Sequence, residues 1–397
     1  MIRPVFGILV FLAIFHFPAT ESRRHQKTTS GIEFSALNCR KHSAVLTDFG
    51  GVGDGKTSNT KAFKKAISKL SQMASDGGAQ LVVPPGKWLT GSFNLTSHFT
   101  LFIQKGATIL ATQDESEWPV IAALPSYGEG RDETGTARFN SLISGTNLTD
   151  VVTTGRSTVR DSTGGINSKR SNSCTNTLIE DCHIVSGDDC IAVKSGWDQY
   201  GIKFGMPTQQ LSIRRLTCIS PKSAGVALGS EMSGGIKDVR IEDVNLIDTE
   251  SAIRIKTAPG RGGYVKDIFA RRFTMKTMKY VFWMNGNYNS HPKGYDPKAF
   301  PEVSNINYRD MTAENVTLSA SLDGIEKDPF TGICISNVTI SLSAEPKKLQ
   351  WNCTNVAGVT SRVKPGPCSL LPEKHVDCKF PTDLIPIESV VLKKCFI

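Results

Sequence analysis

The sequence predicts an all-β solenoid, a parallel β-helix closed at its N-terminal end by one short helix. Three observations carry this prediction. First, the middle of the chain aligns with itself. IEDCHIVSGDDCIAVK (Ile179 to Lys194) lies over IEDVNLIDTESAIRIK (Ile241 to Lys256) without a gap, and KDVRIEDVNLIDTESAIRIK (from Lys237) lies over KDIFARRFTMKTMKYVFWMN (from Lys266) in the same way. SIRRLTCISPKSAGVAL (from Ser212) joins them with one extra residue before Val226. Second, each column holds one chemical kind: Ile179, Ile213, Ile241 and Ala270; Cys182, Leu216, Val244 and Phe273; Val193, Leu228, Ile255 and Met284. Third, the apolar columns are separated by short turns of Gly, Ser, Asp and Asn with no helical spacing. A strand-only period of roughly 25–30 residues is the signature of stacked β-coils, each covering the apolar face of the next.

The elements follow in chain order. MIRPV, the apolar run FGILVFLAIFHF and the small residues of PATES form a secretory signal layout, so residues 1–22 are expected to be removed. The apolar run is well short of the roughly 20 residues that a membrane span needs. Gly50 to Thr57, GGVGDGKT, matches the phosphate-loop pattern G-x-x-x-x-G-K-T, with AVLTDF before it as a candidate strand. The helix that follows, TKAFKKAISKLSQMA, places Phe63, Ala66, Ile67 and Leu70 on one face, as a cap on a first coil requires. The glycines therefore read as tight-turn residues leading into a cap, spanning about residues 40–78. AQLVVPPGKWLTGSFNLTSHFTLFIQKGATILA reads as short strands broken by Gly and Pro, and NINYRDMTAENVTLSASL with GICISNVTISL extends the repeat. The solenoid is thus expected from about residue 80 to about 345, within one domain over 23–397. A disulfide-rich tail, about 346–397, carries Cys353, Cys368, Cys378 and Cys395.

Composition narrows the function classes. The hydrophobic share of 39% and charged share of 21% exclude disorder, and no apolar run after the N-terminus could span a bilayer. A formal charge of +9 on a secreted chain points to an acidic partner, such as an anionic polysaccharide or a membrane surface. No basic run with interleaved aromatics points to nucleic acid. Sequons at Asn94, Asn147, Asn315, Asn337 and Asn352 agree with secretion.

The chemistry shows where the columns depart from packing. One turn carries Gly187, Asp188 and Asp189, where other coils carry Lys222 and Ser223, Glu250 and Ser251, or Lys279 and Tyr280. Adjacent carboxylates repel, and one can be driven to hold a proton, which makes an acid and a base from one residue type. A solvated polar turn is the competing reading. In AIRIK, Ile253 and Ile255 face the core, so Arg254 and Lys256 share the outer face, where they could hold a substrate carboxylate. Lys194 stands in the column of Lys256 and extends this into a basic stripe. His183 falls in a polar column with Thr217, Asn245 and Thr274. Cys182 and Cys218 fall in apolar columns, where core packing or an inter-coil disulfide is expected. No His, Cys and Asp cluster has zinc spacing.

These residues resemble a known family. VSGDDCIAVKSGWDQYGI, GVALGSEMSGGI, RIKTAPGRGGYVKDI, DFGGVGDGKTSNTKAF and NYNSHPKGYDPKAFP are similar to the plant branch of the polygalacturonases, glycoside hydrolase family 28. The resemblance covers nearly all of the mature chain. It implies a single-stranded right-handed parallel β-helix and inverting hydrolysis of α-1,4 links in polygalacturonate, with no metal. By motif, Asp188 resembles the general acid, Asp189 one of two water-activating carboxylates, and Arg254 and Lys256 the substrate-binding pair. The expected partner is pectin in the extracellular cell wall, with no nucleotide or cofactor, and the chain is expected to act as a monomer.

Two positions depart from the family pattern. The Asp of its NTD motif is matched by Gly164 in STGGIN, or by Asn167 when counted back from GDD, and Asp161 is out of register. The His of its GHG motif is matched by Ala224 in SAG. Several coils are also absent between NLTDVVTTG and GDD, and RSTVRDSTGGINSKRSNSC forms a polar join near Arg156 that lacks the column pattern. A solenoid is expected to close poorly over such a join and to lose part of its groove. A pectin-binding pseudoenzyme is the second reading, and a calcium-dependent lyase with Asp188 and Asp189 as metal ligands is the third.

Overall fold

In the computed structural model, which describes residues 33–36, 39–128, 138–155, 157–160, 169–389 and 393–396, the columns stack as rungs of one parallel sheet. Ile179 pairs with Ile213, Ile213 with Ile241, Ile241 with Ala270, and the column continues through Tyr308 to Ile335. All six side chains are buried. Parallel rungs bury one face of each coil against its neighbours, so the apolar columns become a continuous interior ladder. One register detail differs from the sequence reading. The extra residue lies ahead of Ala224, so Ser251 pairs with Ala224 and not with Ser223.

The solenoid is longer at both ends than expected. His42–Val45 already pairs in parallel with Ala79–Val83, and Val356–Lys364 adds a rung beyond Phe330–Leu342. Leu46–Phe49, read as part of a strand, is a 3-10 turn that ends in the left-handed Gly50. Helix α1 (Thr60–Ser71) caps the first coil. It buries Phe63, Ala66, Ile67 and Leu70, and Phe63 stacks on Phe93 with ring centroids 4.4 Å apart. The preceding phosphate-loop pattern is occupied by its own side chain. Asp54 Oδ1 accepts from the amides of Lys56 and Thr57, each at 2.8 Å, and Asp54 Oδ2 accepts from the Thr57 hydroxyl at 2.8 Å. These are donors that a phosphate would need.

Two features of the outer surface were not legible in the sequence. One turn of successive coils carries left-handed residues, Asp181, Arg215, Asp243, Arg272 and Asp310. Aspartate tolerates this conformation and arginine does so poorly. Each arginine bridges to the aspartate of the preceding coil, Arg215 to Asp181 at 2.9 Å and Arg272 to Asp243 at 2.6 Å. Such exposed pairs contribute only about 0.2–1 kcal/mol each, so their main effect is on register between coils. The second feature is the C-terminal segment, which runs back along one outward column. Cys378 is disulfide-bonded to Cys334, Phe380 meets Phe269 edge-on, Asp383 pairs with Arg240, and Glu388 accepts from Ser212 and Arg214. Ile385 and Ile387 then pack on Val152 and Leu178. The tail disulfides are thus Cys353–Cys368 and Cys334–Cys378, while Cys218 forms the inter-coil bond with Cys190. Cys182 is buried in the core. The side chain of Cys395, like residues 1–22, lies outside the described residues.

The expected failure at the polar join is corrected. Within it, Ser157–Arg160 pairs with both Ala107–Ala111 and Cys182–Val185, and Lys169–Asn172 pairs with both Ile143–Thr146 and Ile191–Lys194. Backbone ladder bonds do not depend on side-chain type, so the described strands of the join keep the parallel pairing of the solenoid. The defect appears in packing instead. Ser171 stands between Gly145 and Val193 in its column, beside a cavity lined by Leu95, Ile143, Leu148, Val151, Ile179 and Ile191. Ser171→Val is therefore expected to stabilise the chain by about 1 kcal/mol through cavity filling. A thermal melt would check this, and an unchanged or lower midpoint would show that the coil has no room to fill.

Candidate active site

The turn Ser186–Asp189 joins strands Cys182–Val185 and Ile191–Lys194 and presents both carboxylates. They sit in different environments. Asp188 is half-buried, and its Oδ1 accepts from the Asp189 amide at 2.8 Å. No cation pairs with Asp188 among the described residues. Asp189 is buried, and each of its oxygens is engaged. Oδ1 accepts from Ser223 Oγ at 2.6 Å and from the Ala224 amide at 3.2 Å, and Oδ2 accepts from Lys256 Nζ at 2.9 Å. Burial works to raise its pKa, but the Lys256 ammonium, the Ser223 hydroxyl and the Lys194 charge outweigh it and hold the carboxyl below its ordinary value. Asp189 is therefore the carboxylate that stays charged. Ala224 contributes through its main chain, which any residue there could supply.

Arg254 and Lys256 lie on the face opposite Ile253 and Ile255, as strand alternation requires. Their surroundings differ. The Arg254 guanidinium lies 3.6 Å from the centroid of the Trp283 ring, which it stacks on, and 3.7 Å from Glu250. Its Nε is buried without a hydrogen-bond partner among the described residues. Stacking leaves the edge of the guanidinium fork available for a planar carboxylate. Lys256 is only 8% exposed at its side chain. Burial lowers its pKa, but Asp189 prevails and raises it, so the pair is held as two ions.

The exposed basic stripe expected along Lys194 and Lys256 is corrected. Lys194 does share the column of Lys256, because Val193 pairs with Leu228 and Gly229 pairs with Lys256. It is buried, however, and it donates to Gly229 O at 3.1 Å and to the Glu231 carboxylate. Burial pulls its pKa down to about 7, with Glu231 opposing and Arg170 and Lys256 adding to the depression. Both lysines are thus neutralised internally, and among the predicted cations Arg254 is the one placed to meet a ligand. Sequence patterning could not see this, because Glu231 and Asp189 approach from neighbouring coils. His183 is exposed, in its polar column. Asp161, Gly164, Asn167 and Arg156 lie outside the described residues.

The aromatic side of the site was missed. Trp283 pairs with Arg254 on the next rung, and Tyr288 brings its ring centroid within 5.8 Å of both the Arg254 guanidinium and Lys256 Nζ. The gapless alignment already put Trp283 in the Arg254 column. An aromatic facing outward beside an arginine was the available signal.

The family model described as "Glycosyl hydrolases family 28" matches residues 138–364. A "Probable polygalacturonase" of Vitis vinifera is 53% identical over 461 aligned residues, covering 98% of this chain and 94% of that protein. Because 461 exceeds the 397 residues of the chain, at least 64 aligned positions have no counterpart here. An exopolygalacturonase of Zea mays is 24% identical over 423 residues, covering 89% of this chain and 95% of that protein. Among solved structures, an exopolygalacturonase of Thermotoga maritima superimposes with a TM-score of 0.54 at 21% identity, covering 85% of this chain and 94% of that one. A polygalacturonase of Erwinia carotovora does so with a TM-score of 0.54 at 13% identity, covering 86% and 96%. Both support the right-handed parallel β-helix.

Proposed function

The chain belongs to glycosyl hydrolases family 28, and on that premise we propose that it hydrolyses the α-1,4 links of polygalacturonate in the plant cell wall after secretion. The observation that carries this reading is the split between two adjacent carboxylates beside a stacked arginine. Asp188, half-buried and without a cationic partner among the described residues, donates a proton to the leaving glycosidic oxygen as the bond from C1 breaks. Asp189, held ionised by Lys256, draws a proton from a water that attacks C1 from the opposite face, which inverts the anomeric centre. Arg254 grips a galacturonate carboxylate from its Trp283 platform, and Lys256 and Lys194 set the charge of Asp189 from behind. Secretion is supported by the exposure of the sequon residues Asn94, Asn147, Asn315, Asn337 and Asn352.

One observation favours a second reading, a pectin-binding pseudoenzyme. Every acceptor direction of Asp189 used in the structure is committed to Ser223, Ala224 or Lys256, which weakens it as a lone base. Release of reducing ends from de-esterified polygalacturonate at mildly acidic pH separates the readings. Release that is unaffected by a chelator supports hydrolysis. A folded chain that binds the polymer without releasing ends is the pseudoenzyme, and one that neither binds nor cleaves overturns both.

A further inference from the structure

An ionic cluster with a fully buried core pair lies beside the site without touching its carboxylates. Asp198 and Arg261 are both 0% exposed and paired through Asp198 Oδ1 and Arg261 Nη1. His291 completes the group. Its Nδ1 lies 2.5 Å from Asp198 Oδ2 and 3.3 Å from Arg261 Nη1, and the shorter contact, to an accepting carboxylate oxygen, favours the proton on Nδ1. The three residues come from separate places: Asp198 opens helix α2 (Asp198–Phe204), Arg261 lies in the turn after strand Ile236–Lys256, and His291 lies in the loop after strand Tyr264–Asn285.

The cluster and the residues flanking Asp198 reach that loop at several points. Arg261 Nη2 donates to Tyr288 O at 3.3 Å, Trp197 Nε1 donates to Ser290 O at 3.1 Å, and Gln199 Nε2 donates to Lys293 O at 2.9 Å. The His291 ring stacks on Tyr295 with centroids 4.0 Å apart. Gly260 underlies the stack with φ at +94°, and a Cβ there would come within 2.5 Å of the Tyr295 ring. Charge buried this deeply costs stability unless it is fully paired, and well-packed apolar residues would hold a loop at least as firmly. What the ionic arrangement adds is direction, since each hydrogen bond fixes one atom of the loop. The loop carries Tyr288 against Arg254 and Lys256.

We propose that Asp198, Arg261 and His291 are positioning residues that pin the loop around residues 286–295 as one wall of the carboxylate-binding end of the site. The inference rests on the polygalacturonate reading for its ligand, and on loop geometry alone for its mechanism. The variants are His291→Ala, which removes the donor to Asp198, and His291→Asn, whose amide can replace it. Both act at the rim of the cluster, where the His291 side chain is 11% exposed, so the core pair survives. In the full chain, His291→Ala is expected to raise KM for de-esterified oligogalacturonate about tenfold, near 1.4 kcal/mol, with kcat little changed. Trypsin is expected to cut faster at Lys293 and Lys298 in that variant, and His291→Asn to restore both values. An equal KM and equal cleavage in His291→Ala would overturn the proposal, as would a parallel fall of kcat and the melting point that Asn does not rescue. If wild type fails to bind the oligomer, the functional reading fails. Trypsin susceptibility then decides the pinning by itself, and unchanged cleavage in His291→Ala overturns it.

Discussion

Asp188→Asn is expected to lower the release of reducing ends from polygalacturonate by on the order of 10²–10⁴-fold, the share general acid catalysis contributes, while binding of the polymer stays within about threefold of wild type. The reason is local. Asp188 has no cationic partner among the described residues, and its carboxylate receives one backbone hydrogen bond, from Asp189 N. Its replacement by the isosteric amide therefore leaves no buried ion stranded, and the amide oxygen can keep that bond. Only the proton given to the leaving oxygen is lost. Initial rates at saturating substrate, with binding measured separately on the same preparation, decide the matter. Turnover equal to wild type would remove Asp188 from the mechanism, and equal losses of binding and turnover would make it a binding group.

Lys256→Met should cost about 3–5 kcal/mol of stability at neutral pH, because it leaves the Asp189 charge buried without its partner. The pH dependence carries the diagnosis. In wild type, the folded-state pKa of Asp189 lies below its unfolded value near 3.8. Its contribution is therefore complete above that value and is lost as pH falls through the lower folded value. Without Lys256, burial is the dominant influence and moves the folded value above 3.8, so the folded state takes up the proton first. The variant should then recover stability as pH falls from neutral towards the ordinary carboxylate range, a window over which the Asp189 contribution in wild type is flat. Urea unfolding at pH 7 and pH 5 reads this directly. The double variant Lys256→Met with Asp189→Leu should regain most of the loss, since an apolar pair of similar volume carries no stranded charge. A double variant as unstable as the single one would mean that Lys256 acts through packing.

Much of this molecule was written in the local pattern of the chain. The gapless match of IEDCHIVSGDDCIAVK with IEDVNLIDTESAIRIK set the β-helix and its core, because coil stacking puts like residues on like and each register is fixed by the apolar period. The same alignment isolated Asp188, Asp189 and Arg254, since a carboxylate pair or an outward arginine interrupts columns whose other members only pack. Capping by Phe63, Ala66, Ile67 and Leu70 was equally legible, as helical spacing is a property of one segment. The state of the charges was decided by tertiary structure. Lys194 and Lys256 looked like an open basic stripe, and Glu231 and Asp189 from adjacent coils neutralise them. Asp198, Arg261 and His291 carry no common motif and meet only because loops inserted between rungs fold over the same end of the site. The path of the C-terminal segment along the column from Cys334 to Val152 was likewise invisible, because its partners are scattered through the chain. Periodicity specifies which face of a strand is buried. Whether a charge on the other face is free depends on what crosses over it, and that is fixed only when distant turns come together.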